Sequence, residues 1–151
     1  MFFLQQKSAE FQKPLEPNDG PQSFAMRKRI QRLAWEKVGV LRTGEYLSEA
    51  LKSIEELKEE ASGISVQAKE RHYTREWIEA LQTKNLLTLA EAIARSALER
   101  QDSRGAHYRR DFPKMDNEKW LKNVVIKNSQ GKMVVETVPI VMTSYDPRRR
   151  G

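Results

Sequence analysis

His72 and His107 are the side chains best suited to moving a proton near neutral pH, and they are the only histidines in the chain. Neither stands at metal-ligand spacing from another ligand. With no cysteine among 151 residues, disulfides, thiolate metal sites, iron–sulfur ligation and cysteine nucleophiles are excluded. Each histidine reads as a surface or interface hydrogen-bonding residue. Glu55-Glu56 and Glu59-Glu60 pair carboxylates, but helical spacing puts them on the wet side of a helix, so a solvated face is the reading to prefer over an acid/base pair. No glycine-rich loop of the dinucleotide or phosphate-cradling kind occurs. Arg27, Lys28, Arg29 and Arg32, with Trp35 nearby, would suit phosphates. A charged helix surface that aids solubility or faces an acidic subunit explains the same run more simply. No residue is assigned here to catalysis, cofactor binding or metal binding.

The stretch Ser103 to Pro113 is different in kind. It is a polar, arginine-rich loop with small residues at its middle. Gly105 and Ala106 permit a tight bend and close backbone approach. Arg104 carries a rigid donor fork for carboxylates or carbonyls, and Tyr108 and Phe112 carry docking area. Such loops normally recognise something, although a helix-ending turn with solvent-facing charges accounts for the composition equally well.

The elements that position this loop follow from periodicity. Residues 1–21 read as an extended arm or linker, since Pro14, Pro17, Gly20 and Pro21 prevent a long helix. Phe2, Phe3, Leu4 and Phe11 would be exposed there, which fits a piece of a larger protein. A first helix is expected over about 22–38, with Met26, Ile30 and Leu33 on one face. A short connection between Gly39 and Gly44 leads to a second helix, 44–61. Its stripe is Leu47, Ala50, Leu51, Ile54, Leu57 and Ala61, with Glu49, Lys52, Glu55, Glu56 and Glu59 facing water. After a loop over 62–73, Thr74 reads as the cap of a third helix running to about 101. That helix is apolar over more than half its girth, leaving only Lys84, Thr88, Glu91, Arg95 and Glu99 as a polar strip. It is therefore expected centrally, covered by more than one neighbour. Asp116 would cap a helical turn carrying Trp120 and Leu121. Val124–Ile126 and Met133–Val135 then flank a turn at 128–131, with Pro139 marking the second as an edge strand.

The expectation is a mainly α fold: a spectrin-repeat-like three-helix antiparallel bundle over 22–101. A docking loop, helical turn, C-terminal β-hairpin and basic tail follow over 102–151. At 38% hydrophobic and 32% charged, the chain has enough apolar material for a core and a large solvated surface. The formal charge of +6 favours acidic partners. No stretch approaches the ~20 apolar residues that cross a bilayer, and the opening residues lack the basic leader and length of a signal peptide.

Ser103-Arg104-Gly105-Ala106-His107, then Asp111-Phe112-Pro113 and Asp116-Asn117-Glu118-Lys119-Trp120-Leu121-Lys122, resembles the C-terminal signature of succinate dehydrogenase and fumarate reductase flavoprotein subunits. Trp35 to Arg42 is similar to that family's first helix junction, and Asn85-Leu86-Leu87 to its third helix. The resemblance covers about residues 22–150, with departures at Arg110, where an acidic residue is common, and Asn123, where histidine is common. It implies a helical domain packing on the FAD-binding domain of the same subunit and helping to face the iron–sulfur subunit, with membrane-anchor subunits contacted indirectly. FAD would sit in the intact subunit and none in this chain. Arg104, Gly105, His107, Tyr108 and Trp120 carry over as domain and subunit docking residues. The intact enzyme would interconvert succinate and fumarate, while this piece alone would be inactive. The resemblance places it in the cytoplasm, with the complex peripheral on the inner face of the cell membrane. The related L-aspartate oxidase flavoproteins share the helix junction and the Arg-Gly-Ala-His loop, and stand as the alternative. A basic helical module that binds nucleic acid is the alternative from another class, not the expected one.

Overall fold

The structure, a computed structural model, describes residues 11–16, 19–67 and 74–141. Phe2, Phe3, Leu4, His72 and the tail from Tyr145 to Gly151 lie outside the described residues. Three α-helices dominate: α1 (Ser23–Leu33), α2 (Gly44–Ala61) and α3 (Arg75–Glu99). A π-helical turn, Ala34–Val38, prolongs α1 to the expected end. The strands are β1 (Leu41–Arg42), β2 (Tyr108–Arg109), β3 (Lys122–Ser129) and β4 (Lys132–Pro139). The mainly α fold with a C-terminal hairpin is as the periodicities predict. The chain divides into two compact units that share the long helices.

The first unit comprises the described residues within Met1–Leu33 and Lys52–Ala90. Apolar side chains at three- and four-residue spacing bring its helical segments together: Met26 and Ile30 from α1, Ile54, Leu57 and Ala61 from α2, and Ala80 and Leu87 from α3 are all buried. Each large aliphatic side chain so buried is worth about 1.5–3 kcal/mol. Gln22 bridges Ser65 while Arg29 pairs with Glu60, so α1 and α2 run antiparallel. Residues 11–16, inside the segment read as an arm, include a 3-10 turn with Pro14 buried; Val66 donates to the Pro14 carbonyl, and Trp77 Nε1 to that of Phe11 at 2.7 Å.

The second unit holds Ala34–Leu51 and the described residues of Glu91–Gly151. Val38, Leu47, Ala50, Ala94 and Ala97 are buried in it. It also contains the hairpin, in which Lys122 pairs with Pro139 and Ser129 with Lys132. The turn is only Gln130-Gly131, both at positive φ (52° and 81°), the type I′ geometry whose twist matches the strands. Asn128 and Ser129, expected in the turn, are therefore strand residues. Pro139 ends β4 where no further ladder bond is needed.

The third helix departs from expectation. Glu91, placed by periodicity on the solvated strip, is buried, whereas Ile78, Leu89 and Ile93 are 52%, 56% and 42% exposed. Arg95, one turn on, pairs with Glu91 at 2.7 Å and makes its burial tolerable. The covered face of α3 follows Ala80, Thr83, Leu87, Ala94 and Ala97. Much of its remaining apolar girth faces outward.

Candidate docking surface

The loop that follows α3 lies wholly in the second unit and is ordered by charged hydrogen bonds. Arg104 and His107 exchange both backbone bonds, N to O at 2.8 and 3.0 Å, closing a tight turn on Gly105-Ala106. Gly105 sits at φ +56°, a left-handed conformation that a side chain makes costly. The expected bend is therefore present. The returning chain forms a short parallel pair with the connection before α2: Leu41 aligns with Tyr108 and Arg42 with Arg109. Tyr108 N donates to Val40 O at 3.2 Å, and Arg110 N to Arg42 O at 2.8 Å.

Arg109 is the centre of the loop and is 2% exposed. Its Nη1 donates to the carbonyls of Ala97, Leu98 and Arg100 at 2.8, 3.0 and 3.1 Å, which caps the C-terminal turn of α3. Its Nε and Nη2 hold Asp111 bidentately at 2.8 and 2.7 Å. Asp111 in turn accepts the Gly44 amide, at the start of α2, at 2.9 Å. A cation thus meets a helix C-terminus and an anion a helix N-terminus, each complementing the local dipole. The Arg109 hydrogen bonds, aided by the Gly44 amide, hold the Asp111 carboxyl far below the usual carboxylate range. A Cβ at position 44 would stand 3.2 Å from both Arg109 Nη2 and Asp111 Oδ2, so the pair would have to yield by a few tenths of an ångström to admit a side chain.

A second charged group lies beside the first. Asp102 is fully buried between Arg100 at 2.9 Å and Arg104 at 3.1 Å. Arg100 also donates to the carbonyls of Trp120, at 3.1 Å, and Lys122. Its guanidinium lies over the Trp120 ring 5.6 Å from the centroid, with Lys122 Nζ over the same ring at 4.9 Å. Arg104 Nη2 also reaches Asn117 Oδ1 at 2.8 Å. Asp116 Oδ1 accepts from the amides of Glu118 and Lys119, and Trp120 N donates to Asp116 O, so Asp116 caps a single turn over 117–119 that Trp120 closes, and Leu121, expected within it, follows it.

Of the five residues singled out for docking, Arg104, Gly105, His107 and Tyr108 stand on the turn and the strand after it, and Trp120 joins them through Arg100. Their surroundings differ. The Arg104 fork is directed at Asp102 and the Asn117 amide oxygen, while Gly105 and Tyr108 are exposed. His107 is half-buried; its Nε2 donates to Arg100 O at 3.3 Å, leaving Nδ1 to accept from Arg42 Nη1 at 2.6 Å. Burial first, then the charges of Arg42, Arg109 and Arg100, lower its pKa and keep the imidazole neutral. Sequence reasoning missed Arg42, Arg109, Asp111 and Asp102. The available signal was two Arg–Asp combinations at a spacing of two, Arg100/Asp102 and Arg109/Asp111, around a helix end that needed a cap.

Around this loop the unit exposes Trp35 (85%), Val40 (57%) and Leu41 (54%). The described residues contain no cluster of His, Cys, Asp or Glu fit for a metal, and no strand–glycine loop–helix cradle for a nucleotide phosphate. Their fit to FAD is therefore poor. The chemistry of the unit is that of a helical scaffold with a rigid, cation-rich loop at one end.

Residues 27–151 match the family described as fumarate reductase flavoprotein C-term. The fumarate reductase flavoprotein subunit of Helicobacter pylori (strain ATCC 700392 / 26695) is 41% identical over 120 residues, which are 79% of this chain and 17% of that protein. The succinate dehydrogenase flavoprotein subunit of Rickettsia conorii is 32% identical over 120 residues, 79% of this chain and 20% of that protein. Among solved structures, Mycobacterium smegmatis Sdh1 in complex with UQ1 superposes with a TM-score of 0.85 at 27% identity, covering 97% of this chain and 25% of the other. This chain belongs to the C-terminal family of fumarate reductase and succinate dehydrogenase flavoprotein subunits, a family of oxidoreductase subunits. It spans only about a fifth of the length of these curated relatives.

Proposed function

We propose that the chain is the helical C-terminal domain of a flavoprotein subunit that interconverts succinate and fumarate, packing on the FAD-binding domain and contributing to the surface that meets an iron–sulfur subunit. The observation that carries this is the family match over 27–151, which includes the Trp120 turn and the hairpin as well as the Arg-Gly-Ala-His loop. Oxidising a saturated dicarboxylate requires a hydride acceptor that side chains do not supply, and a flavin supplies it when bound. In this reading FAD is held by the rest of the intact subunit. The outward apolar residues Ile78, Leu89 and Ile93 of α3, with Trp35, Val40 and Leu41, are surface for neighbouring domains. The intact complex is peripheral on the inner face of the cell membrane, held there by anchor subunits. No helix among the described residues is long and apolar enough to span a bilayer.

Two measurements test the reading. The purified chain is expected neither to take up FAD nor to reduce a dye with succinate; turnover above background overturns it. A flavoprotein subunit truncated before the matched region, co-expressed with this chain, is expected to bind it and regain succinate-dependent dye reduction. Failure to associate would equally defeat it.

A further inference from the structure

Four guanidiniums gather at the end of α3, and three have a carboxylate: Arg109 has Asp111, while Arg100 and Arg104 share Asp102. Arg42 has none among the described residues. Its Nε donates to Val38 O at 3.0 Å and its Nη1 meets the neutral His107, and neither contact brings a negative charge. A half-buried cation without a counterion is costly. Burial, followed by the like charge of Arg109, accordingly lowers its pKa. Arg42, Arg100 and His107 line a cleft of about 450 Å³ whose remaining walls are largely aliphatic, including Ile93, Val124 and Ile126; among the described residues no acidic one lines it.

We propose that this cleft receives an aspartate or glutamate side chain carried on an aliphatic polypeptide segment, whose carboxylate becomes the counterion of Arg42. The proposal deepens the docking reading and rests on it, naming the chemistry of the segment docked. Charge complementarity fixes the carboxylate. The open, aliphatic wall, with Ile93 still 42% exposed, calls for attached apolar surface that a small free acid does not bring. The remaining N–H groups of the Arg42 fork then make charge-assisted bonds inside a cleft that the segment closes to water, where they are strongest.

The test uses the whole chain at low salt, following the Arg42 Nε–Hε and His107 side-chain NMR signals. The probes are acetyl-Val-Glu-Val-amide, its Gln counterpart and propionate. The glutamate peptide is expected to shift both signals saturably, with the glutamine peptide and propionate each about tenfold weaker. Arg42→Gln should abolish the preference for glutamate over glutamine, and Arg42→Lys should restore part of it. Equal response to the two peptides overturns the proposal, as does propionate matching the glutamate peptide, which would make this a free-anion site. Should Arg42→Gln fail to fold by circular dichroism, the unaltered chain with the three probes still decides. The two readings fail separately. Association with the truncated subunit but no glutamate preference defeats the carboxylate site alone. A preference without association defeats the docking reading.

Discussion

Arg109 shows how much one side chain does in this fold. It caps the last turn of α3 through the carbonyls of Ala97, Leu98 and the following Arg100, and pairs with Asp111 while almost wholly buried. Arg109→Ala leaves three helix-end carbonyls and the partly exposed Asp111 without their donor and should cost about 1–3 kcal/mol in urea unfolding. Arg109→Lys keeps the charge but not the fork, and should recover only part of it. His107 makes a second prediction. Its folded pKa is lowered, chiefly by burial. Its contribution to stability is therefore complete above the unfolded imidazole pKa of about 6.5 and is lost as pH falls through the lower folded value. Unfolding free energy should fall on acidification from pH 7, and His107→Gln should flatten that slope. None of this was legible residue by residue. Arg109 looks like one more arginine in a basic loop, and only the fold brings Asp111 to Gly44, 67 positions earlier.

At the scale of elements the sequence was far more readable. Of the stripe Leu47, Ala50, Leu51, Ile54, Leu57 and Ala61, written plainly at helical spacing, all but the half-buried Leu51 are buried as read. The hairpin announced itself by two β-branched runs about a glycine. Its turn proved tighter than expected because Gln130, with no special turn chemistry, accepts a positive φ beside Gly131. Gly131→Val should strain that turn by about 1–2 kcal/mol, seen as loss of the β4 cross-strand NMR contacts. The β1·β2 pair was invisible, since two residues per strand carry no period. Glu91 was misplaced because an ion pair with Arg95 overrode the polarity of the residue.

At the scale of the whole molecule, family membership was legible from ordered motifs, and so was the wide apolar girth of α3. Which apolar groups stay outside was not, because that depends on how the helices rotate against their neighbours. Trp35 is the most exposed tryptophan of the described residues. Trp35→Ser should change stability by no more than about 0.5 kcal/mol. If that surface meets the rest of the subunit, the same substitution should weaken association with the truncated flavoprotein, measured by co-purification yield. Unchanged association would remove Trp35 from the contact.

The bond from Gly44 to Asp111 also bears on solvent exchange. The opening amides of a helix have no partner in the helix itself and ordinarily trade hydrogen for deuterium quickly. The Gly44 amide is claimed by a carboxylate that is itself pinned by a buried guanidinium. It should exchange as slowly as an amide in mid-helix, and become as fast as any frayed end once Asp111 is replaced by Ala.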